Sequence, residues 1–212
     1  MSDRAKDPHW ERRSLDRRIL YVMERLVDHY DFPVRGGAGL VGNLVAESGV
    51  IPTRVEGSAE STPMRSKNFD GETVNHTAKA IMNRNATRHI GPARPGIGLA
   101  QWTAAPRRAG LFSHRFHGDV LGARAVFDMD DQIDYLADEL KSSFNGVRAV
   151  LRRPAVKVND ACDEVLYNFE IPGAIIQGGS RLPRSDPRVQ RVFNQRRPLA
   201  QRALAVYRDA RS

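Results

Sequence analysis

The segment that constrains the fold most is GLVGNLVAESG, residues 39–49. It is almost wholly apolar and small until Glu47, two residues before a glycine. A helix that is apolar on all sides has to be buried. We therefore predict a central helix over residues 36–48, whose small side chains allow neighbouring elements to approach closely.

Other helices are predicted from apolar residues that recur at three- and four-residue steps. They cover residues 15–30, a stretch capped by Asn75 or Thr77 that runs to about residue 86, a short stretch after Thr103, 129–143, 145–152, a stretch capped by Asn159, and 187–210 with a kink or split at Pro198. Residues 49–75 are rich in Pro, Gly, Ser and Thr, which predicts a small hairpin or loop. The pattern as a whole predicts a mainly helical α+β fold.

Length and cysteine content bound the class of protein. The chain has 212 residues, enough for one large domain. No apolar run approaches the roughly 20 residues that span a bilayer. Residues 1–13 carry both charge signs and no apolar core, so we expect no signal peptide. The single cysteine, Cys162, forms no intrachain disulfide and is expected to be a small buried packing residue in a protein that can fold in a reducing cytoplasm.

Positive charge is concentrated at the C-terminus. The net charge is +8, and residues 181–212 contain nine arginines and two aspartates. A basic segment favours polyanions, such as nucleic acid, an anionic cell wall or an acidic partner. A solvated helix face explains the same composition equally well.

Several kinds of site are excluded by the motifs. The sequence has no HExxH, no CxxC pair, no EF-hand loop, no GxSxG and no P-loop. The six histidines are scattered, and His114 and His117 are better explained as a surface pair than as zinc ligands. We expect neither a metal ion nor another cofactor.

Carboxyl groups remain as candidates for chemistry. The C-terminal end of a helix and an apolar environment both favour the neutral form of Glu47. A protonated glutamic acid at the edge of a cleft suits general-acid cleavage of a glycosidic bond. A glutamate that only bonds a neighbouring loop is an equally good interpretation. Glu56 is the nearest candidate for a second carboxylate, followed by Glu60 and Asp70, although each alone is better explained as an exposed loop acid.

The segment GIGLAQW, residues 96–102, is a second candidate region. Its glycines allow a ligand to approach the backbone. Gln101 offers an amide donor and acceptor suited to an N-acetyl group, and Trp102 offers a flat face for a sugar. Core packing is the commoner fate of a tryptophan.

These motifs together resemble a known family. AESG at 46–49, GIGLAQW at 96–102 and YNFEIP at 167–172 resemble, in their order and spacing, the phage tail lysozyme family of the lysozyme-like superfamily. GLAQW is also similar to a motif of lytic transglycosylases and goose-type lysozymes. The resemblance covers about residues 18–210.

The resemblance implies a lysozyme-like fold with a cleft between a helical lobe and a small β-containing lobe. It implies that Glu47 is the catalytic acid. The family motifs do not fix the second carboxylate, and we choose Glu56 for its short spacing from Glu47. Gln101 and Trp102 would line the cleft wall. Tyr167 and Glu170 would lie near its floor, unless Glu170 only anchors a helix end.

The chain is expected to have three parts. We expect a flexible arm over residues 1–13, a lysozyme-like catalytic domain over 14–180 and a basic helix over 181–212 that packs on or extends it.

Three hypotheses about function follow. The first is a muramidase that cuts the β-1,4 bond between N-acetylmuramic acid and N-acetylglucosamine, with a lytic transglycosylase using the same acid as its variant. The second is a non-catalytic, glycan-binding tail or baseplate component. The third is nucleic-acid binding through residues 181–212, which leaves Glu47 and GIGLAQW without a purpose and ranks last.

The expected partners are the glycan strands of peptidoglycan and components of a phage tail or a contractile secretion apparatus. We expect no membrane insertion. The protein would be made in the cytoplasm and act on the cell wall, either from a virion tail or as a released or delivered effector.

Overall fold

The computed structural model describes residues 9–68, 70–83 and 95–212. Within these ranges the chain is mainly helical. The α-helices are α1 Leu15–Glu24, α2 Val34–Ser48, α3 Ala78–Asn83, α4 Ala105–Ser113, α5 Met129–Ser142, α6 Asn145–Leu151, α7 Val158–Val165 and α8 Pro187–Asp209. Short 3-10 helices occupy Trp10–Arg12, Gly122–Phe127 and Gly173–Ile175, and π-helical turns occupy Arg25–His29 and Leu166–Glu170.

The strands of the described residues form small antiparallel pairs. They are β1 Arg65–Lys67 with β2 Thr73–Asn75, β3 Arg115–Phe116 with β4 Asp119–Val120, and β5 Ile176–Gln177 with β6 Ser180–Arg181. In the first pair Ser66 lies opposite Val74. The predicted α+β, mainly helical fold with a small hairpin within residues 49–75 is confirmed.

The chain divides into two compact units. The first comprises Met1–Arg18 and Glu47–Leu136, and the second comprises Ile19–Ala46 and Ala137–Ser212. The division falls within α1, α2 and α5, so that Glu47 and Ser48 belong to the first unit and the rest of α2 to the second.

Close contacts between backbones hold α2 in the second unit. A Cβ atom added at Gly39 would lie 2.5 Å from Cβ of Ala161, and one added at Gly42 would lie 2.5 Å from the backbone nitrogen of Ala200. At Gly36 it would lie 1.9 Å from a backbone oxygen of α6. Every residue from 36 to 44 is buried. The predicted central, tightly packed helix is therefore confirmed.

A buried polar contact joins α2 to α7. Nδ2 of Asn43 donates to the carbonyl oxygens of Gly39 and Cys162, both at 3.0 Å. Burial raises the pKa of the Cys162 thiol to about 12, and the neighbouring Asp163 adds to this. A thiol that stays protonated is a poor nucleophile, so the prediction of a buried packing cysteine is confirmed.

The C-terminal helix α8 is continuous. Oδ1 of Asp186 accepts a hydrogen bond from the backbone of Arg188 at 2.9 Å and caps its N-terminus. Pro198 lies inside the helix without splitting it. Part of the basic charge is paired within the second unit, since Arg197 binds Asp163 at 2.5 Å. A separate role for residues 181–212 stays a prediction.

Predicted helix starts were less accurate than helix locations. Thr77 caps α3, because its Oγ1 accepts from the backbone of Ala80 at 3.1 Å. Thr103 does not cap α4; its hydroxyl donates instead to the carbonyl oxygen of Gln101 at 2.9 Å. Asn159 does not cap α7, which already begins at Val158. The part of the predicted arm before residue 9 and the end of the predicted 75–86 helix lie outside the described residues.

Candidate active site

Glu47 is the penultimate residue of α2 and is half-buried. The chain then turns sharply through two residues in the left-handed region, Gly49 with φ 64° and Val50 with φ 57°. A β-branched residue is rarely found there, and such strain persists where the surrounding structure enforces it, often at functional sites. The candidate acid is thus followed immediately by a strained turn.

Ser48 connects the end of α2 to the second candidate segment. Its Oγ donates to the carbonyl oxygen of Leu99 at 2.8 Å and accepts from the backbone of Val50 at 3.1 Å. Ser48 is buried. The residue after Glu47 therefore contacts GIGLAQW directly, which brings the two sequence motifs together.

Gln101 lies in a second strained turn, with φ 43°. Its Nε2 donates to the carbonyl oxygens of Arg54 at 3.0 Å and Gly98 at 2.9 Å. These two bonds use both hydrogens of the amide nitrogen. The side-chain Oε1 remains as the group through which a half-buried Gln101 can bind a ligand.

Gln132, on α5, was missed by the sequence analysis. It is completely buried. Its Oε1 accepts from the backbone of Leu99 at 2.9 Å, while its Nε2 donates to the carbonyls of Pro52 at 3.0 Å and Ala125 at 2.8 Å. It thereby fixes three chain segments of the first unit. In the sequence, the position of Gln132 directly before the inward-facing Ile133 could have indicated a buried polar residue.

Trp102 is completely buried. Its ring lies 5.2 Å from the ring of Tyr135, measured between centroids. A Cβ atom at Gly98 would approach Cζ3 of Trp102 to 3.0 Å. This burial favours core packing over sugar stacking.

Glu56 supports a loop. It is exposed, and its Oε2 accepts a hydrogen bond from the backbone nitrogen of Gly96 at 2.8 Å. The backbone nitrogen of Glu56 donates in turn to the carbonyl of Gly96 at 2.8 Å. Both interactions hold the start of GIGLAQW, as expected of a structural loop acid.

The carboxylate of Glu60 lies beside the turn that follows Glu47. A Cβ atom added at Gly49 would lie 2.7 Å from Oε1 of Glu60. The other oxygen, Oε2, accepts from Nη2 of Arg18 at 3.0 Å. The sequence analysis had placed Glu60 behind Glu56.

Tyr167 and Glu170 belong to the second unit. They lie in the π-helical turn Leu166–Glu170, after which Ile171 adopts φ 48°. The hydroxyl of Tyr167 donates to the carbonyl of Leu182 at 2.8 Å. Glu170 is half-buried. Their roles in binding glycan stay predictions.

His114 and His117 lie in different local environments. His114 pairs with Asp134 through Nε2 at 2.7 Å, and His117 lies in the turn between β3 and β4 rather than on a helix. Within residues 9–68, 70–83 and 95–212, no group of three or more His, Cys, Asp and Glu side chains could hold a metal ion.

A mainly helical α+β chain with a glutamate at the end of a buried helix has the features of a lysozyme-like protein. The sequence profile described as Phage tail lysozyme matches residues 17–207, so the chain belongs to this family. No curated protein and no solved structure gives a significant match.

Membership of the family indicates a lysozyme-like, peptidoglycan-lytic function at the cell wall. No helix in the part of the chain that the structure describes is long and apolar enough to span a membrane.

Proposed function

We propose that the protein is a muramidase that hydrolyses the β-1,4 bond between N-acetylmuramic acid and N-acetylglucosamine, with Glu47 as the general acid. One observation carries the proposal: Glu47 is half-buried at a strained helix end that Ser48 bonds directly to Leu99 of GIGLAQW. Membership of a lysozyme family supports the same reaction class.

The proposed reaction begins with transfer of the Glu47 proton to the glycosidic oxygen. The bond between that oxygen and the anomeric carbon breaks, which leaves an oxocarbenium-like centre. The oxygen of a water molecule then bonds to the anomeric carbon, the proton that this water releases passes to the solvent, and Glu47 takes up a proton from the solvent. The products are two shorter glycans, one with a new reducing end. A positioned general acid contributes typically about 10²- to 10⁴-fold to such a rate.

Gln101 is the proposed contact for the acetamido group. Its Oε1 can accept the substrate N–H, while its Nε2 is held by the carbonyls of Arg54 and Gly98. The predicted glycan contacts of Trp102 and of the pair Tyr167 and Glu170 stay predictions. A sugar could stack on Trp102 only after the ring is uncovered, since it is completely buried.

We further propose that the enzyme acts on the wall from a phage tail. The support is the description of its family as tail lysozymes. Co-sedimentation of the protein with purified tails of its own phage would support this assignment, and recovery only in the soluble fraction would contradict it.

Digestion of purified peptidoglycan tests the proposed reaction. The wild type and Asp119→Asn, a change at an exposed residue of β4, are expected to release glycans with reducing N-acetylmuramic ends, seen by mass spectrometry. Glu47→Gln is expected to release almost none. Anhydro-muramyl ends would show that the enzyme is a lytic transglycosylase and not a hydrolase. Binding without cleavage by the wild type would indicate a glycan-binding tail component.

A further inference from the structure

A carboxylate is packed against the turn that follows Glu47. The two oxygens of Glu60 would lie 2.7 and 3.1 Å from a Cβ atom at Gly49, and its Cδ would lie 2.8 Å away. Only a residue without a side chain leaves this space. Because Gly49 is two residues from Glu47, the contact places the Glu60 carboxylate beside the last turn of α2.

The partner of this carboxylate is a buried cation. Nη2 of Arg18 donates to Oε2 of Glu60 at 3.0 Å. The Arg18 side chain is only 5% exposed, whereas that of Glu60 is 54% exposed. Arg18 therefore holds the carboxylate from its buried side, while more than half of the Glu60 side chain stays accessible to a substrate.

A second arginine belongs to the same cluster. Burial lowers the pKa of Arg54 from its ordinary value, Glu60 opposes this effect, and Arg18 adds to it. The backbone carbonyl of Arg54 accepts from Nε2 of Gln101. Arg54 therefore has two contacts: its backbone holds Gln101, the proposed acetamido contact, and its guanidinium lies close to Glu60.

Both arginines of the cluster are costly to bury. Within the described residues, Nε and Nη1 of Arg18 and Nη1 of Arg54 are buried without a hydrogen-bond partner. Burying such groups costs free energy. The ion pair with Glu60 offsets part of this cost for Arg18, and the buried guanidinium in turn holds the Glu60 carboxylate in place.

We propose that Glu60 is the second carboxylate of the site, with Arg18 and Arg54 as its positioning residues. This inference rests on the proposed muramidase function and deepens it. Glu47 donates its proton to the glycosidic oxygen as the bond to the anomeric carbon breaks. Water bonds to that carbon, and its proton passes to Glu60. Exchange with solvent returns both groups to their starting forms.

Glu56 is less suited to this role. Its Oε2 accepts a hydrogen bond from the backbone nitrogen of Gly96. Within residues 9–68, 70–83 and 95–212, no arginine forms an ion pair with it. The proposal therefore replaces Glu56, which the spacing from Glu47 had favoured, by a residue four positions further along the chain.

The test compares isosteric variants in the release of reducing ends from purified peptidoglycan. Glu60→Gln is expected to lower the rate by about 10²- to 10⁴-fold, and Glu56→Gln is expected to lower it much less. Asp119→Asn provides the unchanged control. Arg18→Lys keeps the charge but loses the fixed guanidinium geometry, so we expect an intermediate loss.

Folding and binding are measured on the same samples. Rates are normalised to the folded fraction from circular dichroism, and binding to peptidoglycan is measured by pull-down. The proposal predicts that Glu60→Gln still binds while its normalised rate falls.

The outcomes separate the two proposals. A Glu60→Gln rate within about threefold of wild type, well short of the loss of a general base, would overturn the role of Glu60 and leave the muramidase intact. A larger loss in Glu56→Gln than in Glu60→Gln would do the same. If the wild type and Asp119→Asn release no glycan ends, the muramidase function itself fails, and the role of Glu60 fails with it.

Discussion

Two stretches of α2 are held by different means. From Gly36 to Leu44, in the second unit, the helix is packed so closely that three of its glycines leave no room for a Cβ atom. In the first unit, Glu47 and Ser48 end the helix, and Gly49 and Val50 follow in a left-handed turn beside the Glu60 carboxylate. The first stretch gives rigidity through packing, and the second combines strain with charge. This difference separates the structural part of α2 from its proposed functional end.

Within the described residues, buried side-chain atoms without a hydrogen-bond partner occur in both units. In the first unit they include Oγ1 of Thr53, Nη1 of Arg54 and both carboxyl oxygens of Asp131, and in the second unit they include Oδ1 of Asn43 on α2. Each such atom lowers stability. Asp131 has two such oxygens in the unit that carries Glu47, so it is the group at which this cost is best measured.

The largest expected effect on stability concerns Asp131. Burial raises its pKa from 3.8 to about 7; His114 opposes the shift, and Asp128 and Asp134 add to it. In the folded protein Asp131 therefore keeps a proton that the unfolded chain loses near pH 4. The stability contributed by this group is present below about pH 4 and is lost as the pH rises to about 7.

Asp131→Asn should remove this dependence. Between pH 4 and pH 8 the wild type should lose about 3 kcal/mol more of its free energy of unfolding than the variant does, allowing for solvent screening. Urea unfolding at both pH values measures the difference. Parallel losses in the two proteins would show that Asp131 is ionised without cost.

A smaller loss is expected from filling the close contacts of α2. Gly42→Ala places a Cβ atom 2.5 Å from the backbone of Ala200, and the overpacking should cost about 2 kcal/mol of stability. Gly37→Ala is the matched control, since its Cβ would lie 3.7 Å from the flexible Met23 side chain. It should stabilise the helix by about 0.5 to 1 kcal/mol. Thermal unfolding that ranks both variants equally would contradict the proposed packing.

A smaller effect of backbone strain on stability is expected at the other end of α2. Gly49→Ala introduces a left-handed alanine, at a cost of about 1 to 2 kcal/mol, and displaces Glu60. Gly118→Ala carries comparable strain at φ 90° but has no atom within 4 Å of the new Cβ. The melting temperature of Gly49→Ala should fall further than that of Gly118→Ala, because it also disturbs the ion pair of Arg18. Wall lysis, normalised to the folded fraction, should fall sharply only in Gly49→Ala. Equal lysis would contradict the importance of the Glu60 contact.

Local patterns predicted the helices better than the site. The apolar run before Glu47, interrupted by Asn43 alone, identified a buried helix, because burial on all sides favours that composition. Thr103 was wrongly expected to cap a helix, because its hydroxyl bonds the carbonyl of the strained Gln101 instead. The ion pair of Arg18 and Glu60 joins residues 42 positions apart. Such a pair leaves no periodic signal in a single sequence.

Gln132 shows the same limit. Its backbone partners come from three separate segments of the first unit. The helix that carries it could be predicted from residues 129–143 alone, but its partners depend on how the loops fold around it. The order of the motifs predicted a contact only where a residue of one motif bonds a residue of the next. The example is Ser48, next to Glu47, whose hydroxyl bonds the carbonyl of Leu99 in GIGLAQW.

The central claim is that Glu47 supplies the proton for peptidoglycan cleavage. The most direct measurement is the initial rate of turbidity loss of purified cell walls with wild type and Glu47→Gln. The two proteins should first be shown to have the same melting temperature. The account predicts a loss of about 10²-fold or more for Glu47→Gln, the contribution typical of a general acid. A folded Glu47→Gln protein that lyses walls at the wild-type rate would contradict it.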